Sequence, residues 1–177
     1  MSKRIGAIFV AVFLLICAVY LVFTRTSLFS VQTNTQFETI SKNEHLWNKQ
    51  FETPQIWVVS SLDDVQHFTT TVLNAIEPTY SGIVLQERLS EFDYTDQVVI
   101  VVGQDVRVTN ITIESLSKRG GVVYVNVSIE ALGTGGPGIQ YNPSHIIKFP
   151  REAEWNGTIL FRLTNQGLVI AETQHVF

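Results

Sequence analysis

The chain has 177 residues, 45% of them hydrophobic and only 16% charged, with a mean hydropathy of +0.18 and a formal net charge of −4. So apolar a composition excludes a disordered chain, the slight acidity gives no reason to expect nucleic-acid binding, and the length allows one ordinary domain with additions. A single cysteine, Cys17, excludes an internal disulfide framework and a cysteine-based zinc site.

The apolar residues are concentrated near the N-terminus. Residues 5–23 read IGAIFVAVFLLICAVYLVF without a charge, bounded by Lys3 and Arg4 before and Arg25 after. As a helix rising ~1.5 Å per residue this run covers about 28 Å, close to the ~30 Å hydrocarbon core of a bilayer. A cleaved secretory signal has a shorter apolar core and a small-residue cleavage site, whereas TRTSLFSV follows here, so an uncleaved transmembrane anchor is expected. Ile16 before Cys17 does not suit lipoprotein processing. Lys3 and Arg4 outweigh Arg25, which puts a tip of residues 1–4 in the cytoplasm and everything after the anchor outside, in a single-pass arrangement. Beyond Arg25 there are nine basic against sixteen acidic residues. The exported part is therefore acidic, and its lack of a thiol suits an oxidising exterior.

Residues 24–52 are rich in Thr, Asn and Gln without sustained periodicity and read as a polar stalk, leaving 53–177 as the exported domain. QIWVVS (55–60) is β-branched and aromatic, as in a strand. Ser61 and Asp64 then have capping-box spacing, and Val65, Phe68, Val72, Leu73 and Ile76 recur on one helical face. Three consecutive threonines weaken this helix, Pro78 and Gly82 are expected to break it, and IVLQERLSEF (83–92) suits a second, shorter one.

From Gln97 the pattern becomes that of strands. VVIVV (98–102) is an unbroken apolar run suited to a strand covered on both faces. Val106 and Val108 share one parity and Ile111 and Ile113 the other, which predicts a bulge near Thr109 and Asn110. Gly120 and Gly121 supply a hairpin turn into VVYVNVSIE, whose alternation marks a half-buried strand. HIIKF follows the loop GTGGPG, and GTILFRL and LVIAETQHVF form a last hairpin about Asn165, Gln166 and Gly167. The expected fold is mostly β, an antiparallel sandwich or barrel with one packed helix.

Little points to catalysis. His45, His67, His145 and His175 have no metal-ligand spacing, and Asp63 and Asp64 fall in a helix first turn, where they act on the dipole. G-x-S-x-G, H-E-x-x-H and Walker A sequences are lacking, and no cofactor is expected. Asn110, Asn126 and Asn156 each begin an N-x-S/T triplet. The most distinctive segment is the loop Gly133, Thr134, Gly135, Gly136, Pro137 and Gly138, with Tyr141 just beyond. A glycine loop between strands can present its backbone to a partner or let one approach closely, so these seven residues are the candidate partner-binding set.

QIWVVSSLDDVQHF, then EFDYTDQVVIVVGQ, a hairpin, and GTGGPG followed by NPSHIIKFPRE resemble the protease-complex subunit PrcB family, in its C-terminal domain. Phe92, Asp93 and Tyr94, the strand 99–103, the turn Gly136, Pro137 and Gly138, and the segment 143–150 occupy the places of that family's pattern, over about residues 55–151. QDVRVTN departs from the Thr-Gly-Gly-Tyr-like turn usual there. The resemblance implies an exported, non-enzymatic accessory subunit that associates with and stabilises a surface protease. The alternative expectation is an envelope domain binding a small molecule or glycan through Trp57, Tyr141 or Trp155. An enzyme would require His145, Asp105 and a serine to meet in a cleft.

Overall fold

The computed structural model describes residues 33–42, 44, 46, 51, 53–74, 79–103, 108–131 and 143–177. The anchor expected at 5–23 lies outside them, as do Asp105, Gly133, Thr134, Gly135, Gly136, Pro137, Gly138 and Tyr141. Among the described residues no helix is long and apolar enough to cross a membrane.

Among the described residues nine strands form two sheets. β1 (Thr33–Thr35), β5 (Val108–Arg119), β6 (Val122–Ala131), β8 (Thr158–Asn165) and β9 (Leu168–Val176) make one, in the order β1-β5-β6-β8-β9. The other contains β2 (Glu38–Lys42), β7 (Ser144–Pro150), β4 (Gln97–Gly103) and β3 (Gln55–Val59), in that order. Inward residues of both sheets, among them Ile100, Ile147, Ile111, Val125 and Phe161, form one core cluster. Two sheets packed face to face with alternating inner side chains bury such a core without any helix.

The five-stranded sheet is mixed, where antiparallel pairing throughout is expected from the sequence, because β6 and β8 run parallel. The cause is the intervening β7, which pairs in the other sheet, so the chain re-enters this one from the same end as it left Gly121. Direct return by a hairpin would have forced antiparallel pairing.

Part of the segment 24–52, expected as a polar stalk, forms strands of the two sheets. Thr33–Thr35 pair with residues 116–118 of β5, and Glu38–Lys42 pair with β7, so the domain begins at Thr33. Two apolar residues explain why this polar segment docks: Phe37 packs on the inter-sheet core and Ile40 on the second core beneath the helices.

That second core lies on the outer face of the four-stranded sheet, where Val59, Val99, Val101 and Ile146 meet Val65, Phe68, Val72, Leu73, Leu85 and Leu89. The central strand β4 is thus buried on both faces, as its unbroken apolar run predicts. Helix α1 (Leu62–Phe68) opens with the expected cap, Ser61 Oγ accepting from the Asp64 N–H at 3.1 Å. At the threonines it widens into a π turn, Thr69–Leu73. Thr70 and Thr71 hydroxyls donate back to the carbonyls of Gln66 and His67, competing with the α-helical ladder while Val72 and Leu73 stay buried.

Helix α2 (Tyr80–Ser90) starts three residues before the expected second helix, and Gly82 lies inside it rather than breaking the chain. The Thr79 hydroxyl caps it, donating to the Leu46 carbonyl at 2.8 Å and accepting from the Gly82 N–H at 3.0 Å. A Cβ on Gly82 would lie 2.5 Å from the Leu46 carbonyl oxygen, a backbone atom that cannot swing away. Gly82→Ala is therefore expected to destabilise the domain by ~1–3 kcal/mol, although alanine gains ~1 kcal/mol of helix propensity. A shift of the urea midpoint in the opposite direction would show that the α2 contact is loose.

β5 needs two bulges to keep one buried face, one between Val108 and Asn110 as expected, and a second between Ile113 and Ser115. Both hairpin turns fall at the expected glycines. Gly120 and Gly121 have φ of 57° and 79°, and Gln166 and Gly167 have 50° and 80°, the conformation that matches the twist of adjoining strands.

Candidate functional site

Strand register fixes which residues share an end of the sandwich. Thr33 pairs with Lys118, beside the turn at Gly120 and Gly121, and Thr158 pairs with Val176 near the C-terminus. The opposite end gathers the pairs Gly103 with Ser144, Val108 with Ala131, and Asn165 with Leu168. The strand ends flanking 104–107 and 132–142 therefore sit with the Gln166 turn, across the domain from Thr33.

His145 does not belong to an accessible cleft. It is 2% exposed, on the inner face of β7. The Ile113 N–H, freed at the second β5 bulge, donates to Nδ1 at 2.7 Å. Nδ1 is therefore unprotonated, so Nε2 carries the hydrogen and donates to Thr39 Oγ1 at 3.0 Å. Burial, helped by the Lys42 charge, lowers its pKa from 6.5 to about 4. The ring is a neutral pin joining the two sheets, with both nitrogens used. The enzyme reading through His145 finds no support in this arrangement.

A second histidine does meet a serine and a carboxylate. His175 Nε2 lies 2.7 Å from Ser60 Oγ and 3.5 Å from Asp64 Oδ2. The same Oδ2 accepts from the Ser60 N–H at 2.9 Å, the Ser60 hydroxyl at 3.2 Å and the Ser61 hydroxyl at 2.9 Å. A Ser-His-Asp hydrolase needs its carboxylate on one ring nitrogen and its serine on the other, so that the second nitrogen can accept the serine proton. Here both groups face Nε2, where the carboxylate favours the proton. Nε2–H then donates to Ser60, whose own proton goes to Asp64, and the serine is not activated. The cluster ties β9 to the β3–α1 junction and completes the cap of α1. Burial holds His175 below the usual imidazole range; Asp64 opposes this and Arg151 adds to it.

Trp155 is 2% exposed and packs edge-on against Phe149, Phe161 and Phe177, with centroids 5.7, 5.9 and 5.0 Å away. Its Nε1–H donates to Glu152 at 3.0 Å. Trp57 is half-buried between Phe51 and Phe68. Trp155 is thus core, not a platform on which a sugar could stack.

Two concave regions are lined by described residues. At the Thr33 end a groove of about 500 Å³ lies among Phe37, Glu38, Asp96, Lys148 and Phe149, and its cation Lys148 is paired with Glu38 at 3.1 Å. At the opposite end a polar notch of about 320 Å³ lies between β6 and the Gln166 turn. The outer face of the five-stranded sheet around this notch carries Thr112, Asn126 and Ser128, and among the described residues no helix packs over it. No cluster among the described residues could hold a metal ion. The sequence points to the loop end of the domain but not to the notch, which depends on where β8 stops relative to β6. The one available signal is length: the alternating run of β6 outlasts GTILFRL.

Comparison with family models, characterised proteins and solved structures finds no match to this chain.

Proposed function

We propose that this chain is a membrane-anchored extracytoplasmic accessory domain, non-catalytic, which binds a protein and, following the PrcB-like pattern of residues 55–151, an envelope protease that it stabilises. Residues 5–23 are the anchor in this reading. The observation that carries it is the opposition of ends: the chain enters the domain at Thr33, and the strand ends bracketing 132–142 are at the other end. The use of both His145 nitrogens and the geometry at His175 support a binding role over a hydrolytic one.

The test is affinity isolation of the full-length chain from its native membranes after mild cross-linking, with the order of residues 133–138 scrambled in the control. The expected result is one envelope protein recovered with the native loop and lost with the scrambled one, its lifetime shortened when the chain is deleted. Equal recovery with both loops, or none with either, would reject the reading.

A further inference from the structure

The parallel ladder between β6 and β8 runs from Val122 with Leu160 to Asn126 with Thr164 and then stops, because β8 ends at Asn165 and turns into β9. β6 continues to Ala131, paired only with β5 among the described residues. No described residue therefore pairs with the backbone edge of 127–131 in the lane that β8 has left, a length of about 17 Å at ~3.3 Å per residue. The notch of about 320 Å³ is the start of this lane, with the turn at Gln166 and Gly167 as its floor. The corresponding free stretch of β5 is different: its Ile113 N–H is taken by His145 of β7.

The two faces of the lane have distinct chemistry. On the inner side lies Ile129, a partly buried residue packed on the inter-sheet core, which an added apolar side chain would cover. On the outer side Glu114 and Glu130 are exposed, Asn126 Nδ2 reaches Glu114 at 3.3 Å, and among the described residues no Lys or Arg lines the notch. Unpaired strand edges bind extended segments through the main chain, while alternate side chains set specificity.

We propose that residues 127–131 of β6 accept one extended segment of a protein partner as an added strand, and that this segment alternates apolar residues facing the core with basic residues facing Glu114 and Glu130. The proposal rests on the protein-binding reading above and assigns it a docking lane. The occupant is chosen by charge: the lane is acidic on its outer face and apolar on its inner one.

The probe is an acetylated, amidated hexapeptide of alternating valine and lysine, titrated onto the full-length chain in detergent micelles, with amide exchange read residue by residue. Binding should slow exchange at those amides of 127–131 that point away from β5 by at least tenfold. A valine–glutamate peptide should bind at least tenfold more weakly, and N-methylation of alternate peptide amides should abolish binding. Glu114→Gln with Glu130→Gln should cut the preference for lysine to under threefold; Glu114→Gln alone, with a partial loss, serves if the pair does not fold. Protection outside 127–131, equal affinity for both peptides, or lane-facing amides already protected in the chain alone would overturn the proposal. A membrane partner recovered with the native 133–138 loop but without engagement of 127–131 would leave the accessory reading standing and remove only the lane.

Discussion

Replacing Trp155 by alanine is expected to lower the unfolding free energy by about 3–5 kcal/mol, the usual cost of truncating a large aromatic in a close-packed core. Three aromatic rings lose their edge-to-face neighbour, and Glu152 loses the indole N–H. Lys118, 5.7 Å above the indole and paired with both Glu152 and Glu154, loses the ring beneath it. Domains of this size have ~5–15 kcal/mol in total, so the variant should approach unfolding at body temperature. Trp155→Phe keeps the apolar contacts and should recover roughly half of the loss. The check is a denaturant midpoint with an unchanged slope. A loss under 1 kcal/mol would mean that Trp155 is not a core residue, and a role as a ligand platform would return.

Acidification between pH 6.5 and 5 should destabilise the domain through His145. In the unfolded chain this imidazole titrates near its ordinary 6.5, whereas burial holds it at about 4 in the fold. The unfolded chain binds the extra proton in that interval, so the stabilisation present above pH 6.5 is lost as pH falls towards 4, by up to ~3 kcal/mol. His175 is shifted the same way and adds to the slope. Thermal melts from pH 7 to 5 should fall steadily for the native chain, less for His145→Gln, and least for His145→Gln with His175→Gln. His145→Gln should also lose stability at pH 7, because the Ile113 N–H is left without its acceptor. A flat profile for the native chain from pH 7 to 5 would contradict the buried neutral ring.

How much of this was legible in the sequence depends on the range of the interaction. The cap at Ser61, both hairpin turns and the doubly covered β4 rest on neighbouring residues, and all are readable there. Residues 33–42 were not, because a polar edge strand is held by pairing with distant partners and by Phe37 and Ile40 rather than by its own pattern. Gly82 looks like a breaker until Leu46 is seen against it, 36 positions away in the chain but in contact in space. The parallel register of β6 and β8 follows from the excursion of β7, which no local spacing reveals. For the proposed site, the glycine-rich segment 133–138 is a sequence cue, and it is bracketed by β6 and β7 at the end of the sandwich where the Gln166 turn lies. The sequence is silent on the proposed lane beside β6, which follows from β8 ending before β6 does.

Photo-cross-linking from opposite ends of the domain tests the central claim most directly. A photoreactive residue is placed at exposed Gln166, beside the notch, and separately at exposed Asn156, at the Thr33 end, in the full-length chain in its native membranes. The account predicts one discrete protein adduct from Gln166 and none from Asn156. No adduct from Gln166, or the same adducts from both positions, would contradict it.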